Sequence, residues 1–539
     1  MMNTDTLIRQ AWWKQGIIYQ IYTRSYCDSN SDGIGDIRGI ITKLDYLKQL
    51  GINAIWLTPI FETPNYDFGY DVRDYLDIDP SLGTMDDFCA LLDEAHDRGI
   101  KVILDMVLNH TSHLHPWFLE SRSSSKNEKR DWYIWKDKVD GGPPNNWKNS
   151  FGGSAWEWDE KTEQYYFHSF LKEQPDLNWR NNEVQEAFFG IMHHWFRLGV
   201  DGFRLDVINM IIKDKKFRDN PRTFRLPFFQ DLKYNANQQR SHKIVRKLRA
   251  IADQYDDRML VGEVYTLPPG DAAGAAAYLG NGNNALHMAF DFSLLFSRWN
   301  ARSYYLSIKK WLNQIPKDGW PCHVLSNHDL HRKFSQNVLF SETERKARVA
   351  AVLMLTLKGT PFIYYGEEIG MENERVPKEH INDPLGKKYW PFYSGRDQAR
   401  RPMMWENKPF AGFSDIHPWL PVNKNYPDKN VESQIKDEKS IYHLYKNLIR
   451  IRWKKEALRS GQIKFIEKGK NGLLAYTRTL QNEKILVVLN FSSRNKEMHL
   501  SGQTSYKVLL DTYISYNDRV KSGNLSLAGY EAIVLEAIS

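Results

Sequence analysis

Four short segments carry acids, histidines and an arginine at spacings that suit chemistry. Asp105-Met-Val-Leu-Asn109-His110, Arg204-Leu-Asp206, Gly262-Glu263 and Asn327-His328-Asp329 each close or follow an apolar, β-rich run. A single such Asp reads as a cap or turn residue. Three carboxylates drawn to one place do not, because crowded acids raise one another's pKa and destabilise a fold that has no use for them. The reaction they suit is glycosidic bond cleavage, in which an ionised carboxylate attacks the anomeric carbon while a protonated partner donates to the leaving oxygen. Arg204 precedes Asp206 by two residues on the same strand face, so it is expected to hold Asp206 ionised. Glu263 has no Arg or Lys within four residues on either side and is expected to remain the acid. On neighbouring strands the pair should lie about 5 to 5.5 Å apart, the retaining spacing.

Positioning these groups requires a scaffold. Strand-like runs recur at 17–22, 54–57, 101–106, 202–205, 259–262, 286–290, 323–325 and 361–365, with helix-spaced segments such as 37–50, 85–98, 182–198 and 239–255 between them. Strand then helix, eight times, predicts an α/β protein built on a (β/α)8 TIM barrel, whose catalysis sits at the C-terminal strand ends where the four segments fall. A stretch rich in Trp, Asn, Gly and Pro predicts an inserted domain after the third strand, and a long loop-like stretch, 371–423, follows the eighth. After a helix at 441–459, alternating runs at 473–479, 484–489, 505–510 and 530–535 predict a C-terminal antiparallel β-sandwich. The expected organisation is barrel 1–108, inserted domain 109–179, barrel 180–460 and sandwich 461–539.

Composition narrows the partners. The 539 residues are 42% hydrophobic and 26% charged, as in globular chains. The 73 basic residues against 66 acidic ones are scattered, and the densest basic stretch, 213–225, alternates with acids like a solvated loop, which disfavours nucleic acid. Cys27, Cys89 and Cys322 form neither a disulfide framework nor a zinc knuckle and fit a reducing compartment. Residues 1–15 are polar, with no apolar leader, and no membrane-length apolar run occurs, so a soluble cytoplasmic monomer or homodimer without a membrane partner is expected. Aromatics reach 13%, many in loops where their faces suit flat ligands. His110, His113 and His115 lack the partners of a zinc site, and the glycines at 280–282 and 33–39 lack a phosphate fingerprint, so no organic cofactor is expected. Asp28-Ser-Asn30-Ser-Asp32-Gly-Ile34-Gly-Asp36 offers oxygens at alternate positions around a Gly bend. It suits a structural Ca2+ or Mg2+, although Gly39 stands where an EF-hand has Glu; the alternative is an ion-free turn.

The four segments, in this order at these strand ends, resemble the signature regions of the α-amylase family of glycoside hydrolases, and Gln174-Pro-Asp-Leu-Asn-Trp179 resembles the marker of its oligo-1,6-glucosidase and dextran glucosidase branch. The resemblance spans almost the whole chain. It implies Asp206 as nucleophile, Glu263 as general acid and then base, and Asp329 as the third carboxylate, which binds sugar hydroxyls and stabilises the transition state. It further implies that His110 and His328 hydrogen-bond the terminal sugar, that Arg204 partners the nucleophile and that Phe170 lines the pocket. Asp71 and Arg400 match a pair that caps a terminal glucose, making the enzyme exo-acting. Val207, after the nucleophile, matches the position carrying Val in α-1,6-preferring relatives and Thr or Ala in α-1,4-preferring ones. The Asp28, Asn30, Asp32 and Asp36 side chains and the Ile34 carbonyl match a calcium loop. Isomaltose, isomaltotriose or panose are the implied substrates. The alternatives are an α-1,4-preferring α-glucosidase and a glucosyltransferase or a sucrose- or trehalose-forming isomerase of the same architecture.

Overall fold

The computed structural model describes residues 11–224, 230–266, 269–335, 340–500, 504–513, 520–521 and 523–538. Residues 1–10 of the polar N-terminal stretch and Arg225 of the basic one lie outside them. Eight strands form a parallel sheet that wraps into the barrel: β1 (Ile18–Ile21), β2 (Ala54–Leu57), β3 (Lys101–Met106), β4 (Gly202–Leu205), β5 (Met259–Glu263), β6 (Met288–Phe290), β7 (Cys322–His323) and β8 (Thr360–Tyr364). Their order is β6-β5-β4-β3-β2-β1-β8-β7. Across the seam between β6 and the short β7, Cys322 Sγ donates to Ala289 O at 3.3 Å. Strands covered on both faces must be apolar almost throughout, which is why they read as short apolar runs.

Inside the barrel the period of two separates two layers. Ile18, Ala54, Ile103, Met259 and Val261 belong to the apolar filling. Two residues further along their strands stand Gln20, Trp56, Asp105 and Glu263, and β4 adds Arg204, which is in register with Val261. The barrel interior thus turns polar only at its C-terminal end.

The helices Met85–Asp97, Asn182–Leu198 and Gln239–Ala252 lie where their spacing predicts. The expected helix 37–50 is two, Ile37–Thr42 and Leu44–Leu50, because Lys43 leaves helical geometry at φ −108 and ψ 5. Similarly, 441–459 is broken at extended Lys455 into Ile441–Lys454 and Glu456–Ser460. Between β3 and Asn182–Leu198 sits a three-stranded antiparallel sheet with Gln164–Phe167 in the centre, flanked by Trp135–Lys136 and Trp156–Asp159. Trp147, Trp156 and Phe167 give it a small core. It is tied to the barrel by a buried pair, Lys213 Nζ to Asp176 Oδ2 at 2.5 Å, with Asn109 Oδ1 2.7 Å from the same ammonium.

The C-terminal region forms a six-stranded antiparallel sheet faced by a two-stranded one, Lys496–His499 with Asn524–Leu527. Alternate residues divide between two cores, Leu473, Ala475, Leu486 and Val488 facing the small sheet and Leu474, Tyr476, Ile485 and Val487 joining the barrel's outer core. The edge strand Gln462–Lys468 lies outside the runs expected from the sequence; it alternates half-buried Ile463 and Phe465, which pack on the barrel's outer core, with exposed Gln462 and Lys464. Among the described residues no helix is long and apolar enough to cross a membrane.

Candidate active site

Arg204 organises the polar end of the barrel. Its Nη1 lies 2.7 Å from Asp105 Oδ1 and 2.6 Å from Asp206 Oδ1, and its Nη2 lies 2.6 Å from Glu263 Oε2. The planar fork also rests over Trp56, 5.2 Å from the ring centroid. The expectation that Glu263 has no basic partner is therefore corrected. Neighbours along the chain do not decide it, because the β4–β5 register sets Arg204 opposite Val261 and brings the guanidinium to Glu263, two residues on. One positive charge faces three buried carboxylates. Burial pushes Asp206 well above the usual carboxylate range against the pull of Arg204, and pushes Asp105 up to about 6. Three buried acids thus compete for one cation, and protonation of any one of them eases the ionisation of the other two.

Asp329 lies across the pocket in a different field. Burial works to raise its pKa, but His328, Arg396 and Arg400 outweigh it and hold the carboxyl below its ordinary value. Arg400 Nη2 is 2.9 Å from Asp329 Oδ1, Arg396 Nη1 is 3.4 Å from the same oxygen, and His328 Nε2 is 3.2 Å from Oδ2.

Asp71 and Arg400 do not meet. The Asp71 carboxyl turns away from the cavity and accepts the backbone N–H groups of Tyr66 and Asp67, both at 2.9 Å, while burial raises its pKa to about 7. It builds the loop that presents Asp67, in which Phe68 and Gly69 take positive φ values of 50 and 104. Asp67 is the carboxylate that lines the cavity, and its partner is Arg396, with Nη2 2.6 Å from Asp67 Oδ1 and 2.7 Å from Asp383 Oδ1. Arg400 instead stands behind Asp329, its Nε donating to His328 O at 2.9 Å. The pairing expected of Asp71 and Arg400 is made by Asp67 and Arg396, each four residues earlier. The signal was present in the sequence: Asp67 precedes a Phe-Gly turn, and Arg396 follows Gly395.

These groups converge on a cavity of about 670 Å³. Asp67, Tyr70, His110, Gln174, Asp206, Glu263, Asn327, Asp329 and Arg396 supply its polar surface. Phe170 lines it too, its ring 5.1 Å from that of His110, whose pKa burial lowers to about 4. Val207 lines it at φ 32, a strained value for a β-branched residue, and donates its N–H to Glu263 Oε2 at 3.2 Å. The outer wall is apolar, with Phe151, Met210, Tyr265, Leu385, Tyr389 and Phe392. Tyr389 Oη donates to Phe151 O at 3.0 Å and Lys388 Nζ to the same oxygen at 3.0 Å, tying the long loop after β8 to the inserted domain across the mouth. Tyr70, Asp67 and Arg396 were not singled out from the sequence, and Gln174 only as the first residue of the branch marker.

The loop at 28–36 lies apart from this cavity. Its donor set is oxygen-only, which suits a hard cation. Its carboxylates, however, are engaged by the loop's own donors: Asp28 by the N–H groups of Ser31 and Gly33, both at 2.8 Å, Asp32 by that of Ile34 at 2.8 Å, and Asp36 by Ser29 and Gly39 at 2.7 and 2.6 Å. Among the described residues no three Asp, Glu, His or Cys side chains converge as a metal site, and that includes His110, His113 and His115.

Comparison with known proteins adds to this geometry. The model of the alpha amylase catalytic domain matches residues 20–461, and that of the alpha-amylase SusG C-terminal domain matches 473–534. The chain is 40% identical over 534 residues to an oligo-1,6-glucosidase of Parageobacillus thermoglucosidasius, covering 93% of this chain and 94% of the relative. It is 40% identical over 498 residues to a probable alpha-glucosidase of Rhizobium meliloti, covering 89% of each. Among solved structures it resembles an alpha-glucosyl transfer enzyme (TM-score 0.93, 37% identity, 98% of this chain and 100% of that one). It also resembles the trehalulose synthase of Pseudomonas mesoacidophila (TM-score 0.91, 32% identity, 98% and 99%).

Proposed function

The chain belongs to the α-amylase family of glycoside hydrolases, and on that premise we propose that it is a retaining, exo-acting α-glucosidase releasing glucose from the nonreducing end of short α-1,6-linked glucans such as isomaltose, isomaltotriose and panose. The observation that carries the reading is the Arg204 fork, which holds Asp206 and Glu263 at 2.6 Å each at one wall of the cavity while Asp329 stands ionised at another. Asp206 attacks the anomeric carbon while Glu263, in its acid form, protonates the leaving oxygen; the glucosyl–Asp206 ester is then hydrolysed by a water that Glu263 deprotonates. Loss of a proton from Glu263 in the first step is eased by the Arg204 and Val207 donors already at Oε2. Asp329, acceptor-only when ionised, receives sugar hydroxyls and faces the positive charge that develops at the anomeric carbon. Asp67 and Arg396 grip the terminal glucose, and the tie between the long loop and the inserted domain closes the far side, so the pocket admits a chain end.

Val207 supports the α-1,6 preference: its side chain and strained backbone stand beside Glu263, where an apolar contact with the bond being cleaved is worth about 1 to 3 kcal/mol of discrimination. Expected kcat/KM favours isomaltose over maltose, and Val207→Thr moves the ratio toward maltose. A wild-type preference for maltose or sucrose of about tenfold or more would end the α-1,6 assignment. A second reading, glucosyl transfer or sucrose isomerisation, is favoured by the apolar outer wall, which offers an acceptor a surface that water does not use. Chromatography of products from sucrose and maltose separates the two. For the 28–36 loop we propose one hard cation in a structural role, bound through Asp28, Asn30, Asp32, Asp36 and the Ile34 carbonyl.

A further inference from the structure

The polar layer contains a hydrogen-bonded chain that starts outside the cavity, on β1. Gln20 Nε2 lies 2.8 Å from His328 Nδ1, and His328 Nε2 lies 2.6 Å from Tyr70 Oη. Tyr70 Oη donates to Asp105 Oδ2 at 3.0 Å, and Asp105 Oδ1 accepts from Arg204 Nη1 at 2.7 Å. All five side chains are buried.

Each link dictates the next. An ionised carboxylate accepts only, so Tyr70 must spend its one hydroxyl proton on Asp105. Tyr70 then accepts from His328, which places the imidazole proton on Nε2. Burial keeps His328 neutral, pushing its pKa down to about 3, and a neutral imidazole with Nε2–H has a bare Nδ1. Only a donor can face that nitrogen, and the Gln20 amide supplies it. The opposite tautomer would aim the Nε2 lone pair at Asp329 Oδ2, 3.2 Å away, and would ask Tyr70 to serve two acceptors with one proton. The ring cannot swing to escape: it stacks with Tyr70 at 5.4 Å and 5° and with Tyr22 at 6.1 Å and 17°, and Trp56 meets it edge-on. The charged groups around it are Asp329, Arg396, Arg400 and Arg204.

We propose that Gln20 is a positioning residue that locks His328 in the Nε2–H tautomer, so that the imidazole faces Tyr70 and Asp329 as a donor. It touches no substrate. Its effect runs through His328, which keeps Asp329 an acceptor for sugar hydroxyls, and through Tyr70, whose proton satisfies Asp105 and leaves Arg204 free to hold Asp206 and Glu263. The catalytic consequence rests on the glucosidase reading; the tautomer does not.

The test uses full-length protein labelled with 15N-histidine, with the His328 signals assigned by comparison with His328→Gln. At neutral pH wild type is expected to show a pyrrole-like Nε2 and a pyridine-like Nδ1. Gln20→Met, similar in volume but without a donor, should give averaged imidazole signals and lower kcat on isomaltose by about tenfold or more, with a smaller change in KM. Gln20→Glu offers Nδ1 an acceptor and should move a proton onto it. A wild-type His328 protonated on Nδ1 would overturn the proposal, as would a folded Gln20→Met with wild-type tautomer and kcat. Should Gln20→Met fail to fold, the wild-type spectrum and Gln20→Glu still decide. Failure of the glucosidase reading would instead show as wild type inactive on α-glucosides with the tautomer as expected.

Discussion

Replacing Arg204 with Lys tests whether one guanidinium holds the active carboxylates. The fork spans contacts of 2.7, 2.6 and 2.6 Å to Asp105, Asp206 and Glu263 from two different nitrogens. A lysine ammonium is a single point that cannot reach both sides, so at least one carboxylate is left buried without its partner. Breaking a buried pair in this way costs about 3 to 5 kcal/mol. If that cost falls on the transition state, kcat/KM drops roughly 10²- to 5 × 10³-fold. The carboxylate that the ammonium cannot reach loses its cation and its pKa rises, so where that group is Asp206 the acidic limb of the pH–rate profile moves to higher pH. The assay is kcat/KM against pH on isomaltose, with a thermal melt to establish that the variant is folded. A folded Arg204→Lys within about fivefold of wild type and with an unmoved acidic limb would refute the reasoning.

Other perturbations separate the remaining parts. Glu263→Gln removes the proton donor and should cost at least about 10²-fold on isomaltose but much less on an aryl glucoside with a good leaving group, and equal losses would contradict its role as acid. Chelation should lower the melting temperature while calcium restores it, through the 28–36 loop, because a ligand bound only by the folded state stabilises it; melts that ignore both would remove the proposed cation. His115 is pushed to about 3 by burial, whereas an unfolded His titrates near about 6.5. The unfolded chain thus binds more protons between those values, and stability falls as pH drops through that window. His115→Gln should therefore lose up to about 3 kcal/mol less than wild type between about pH 7 and about pH 4 in urea melts, and an identical loss would mean that His115 does not contribute.

The strands and their chemical ends were legible because a parallel barrel imposes a simple rule: apolar where both faces are covered, polar only where the interior opens. Asp206, Glu263 and Asp329 stand out under that rule. What could not be read is which side chains meet across strands and loops. Glu263 looked isolated along the chain, yet its cation comes from β4 through the sheet register. Asp67 and Asp71 are both acids in one short loop, and the positive φ values at Phe68 and Gly69 decide which of them faces the cavity. Gln20 sits in an apolar run and becomes informative only when His328, far along the chain, is seen 2.8 Å away. The breaks fall on Lys43 and Lys455, residues of good helix propensity, so nothing in the local sequence marks them.

The most direct test is proton NMR of isomaltose hydrolysis by purified enzyme, following the anomeric signals of glucose before mutarotation. Asp206 and Glu263 share one guanidinium, and if they act as the nucleophile and acid of a retaining reaction, α-glucose should be the first product. β-Glucose appearing first would contradict the assignment of Asp206 as nucleophile.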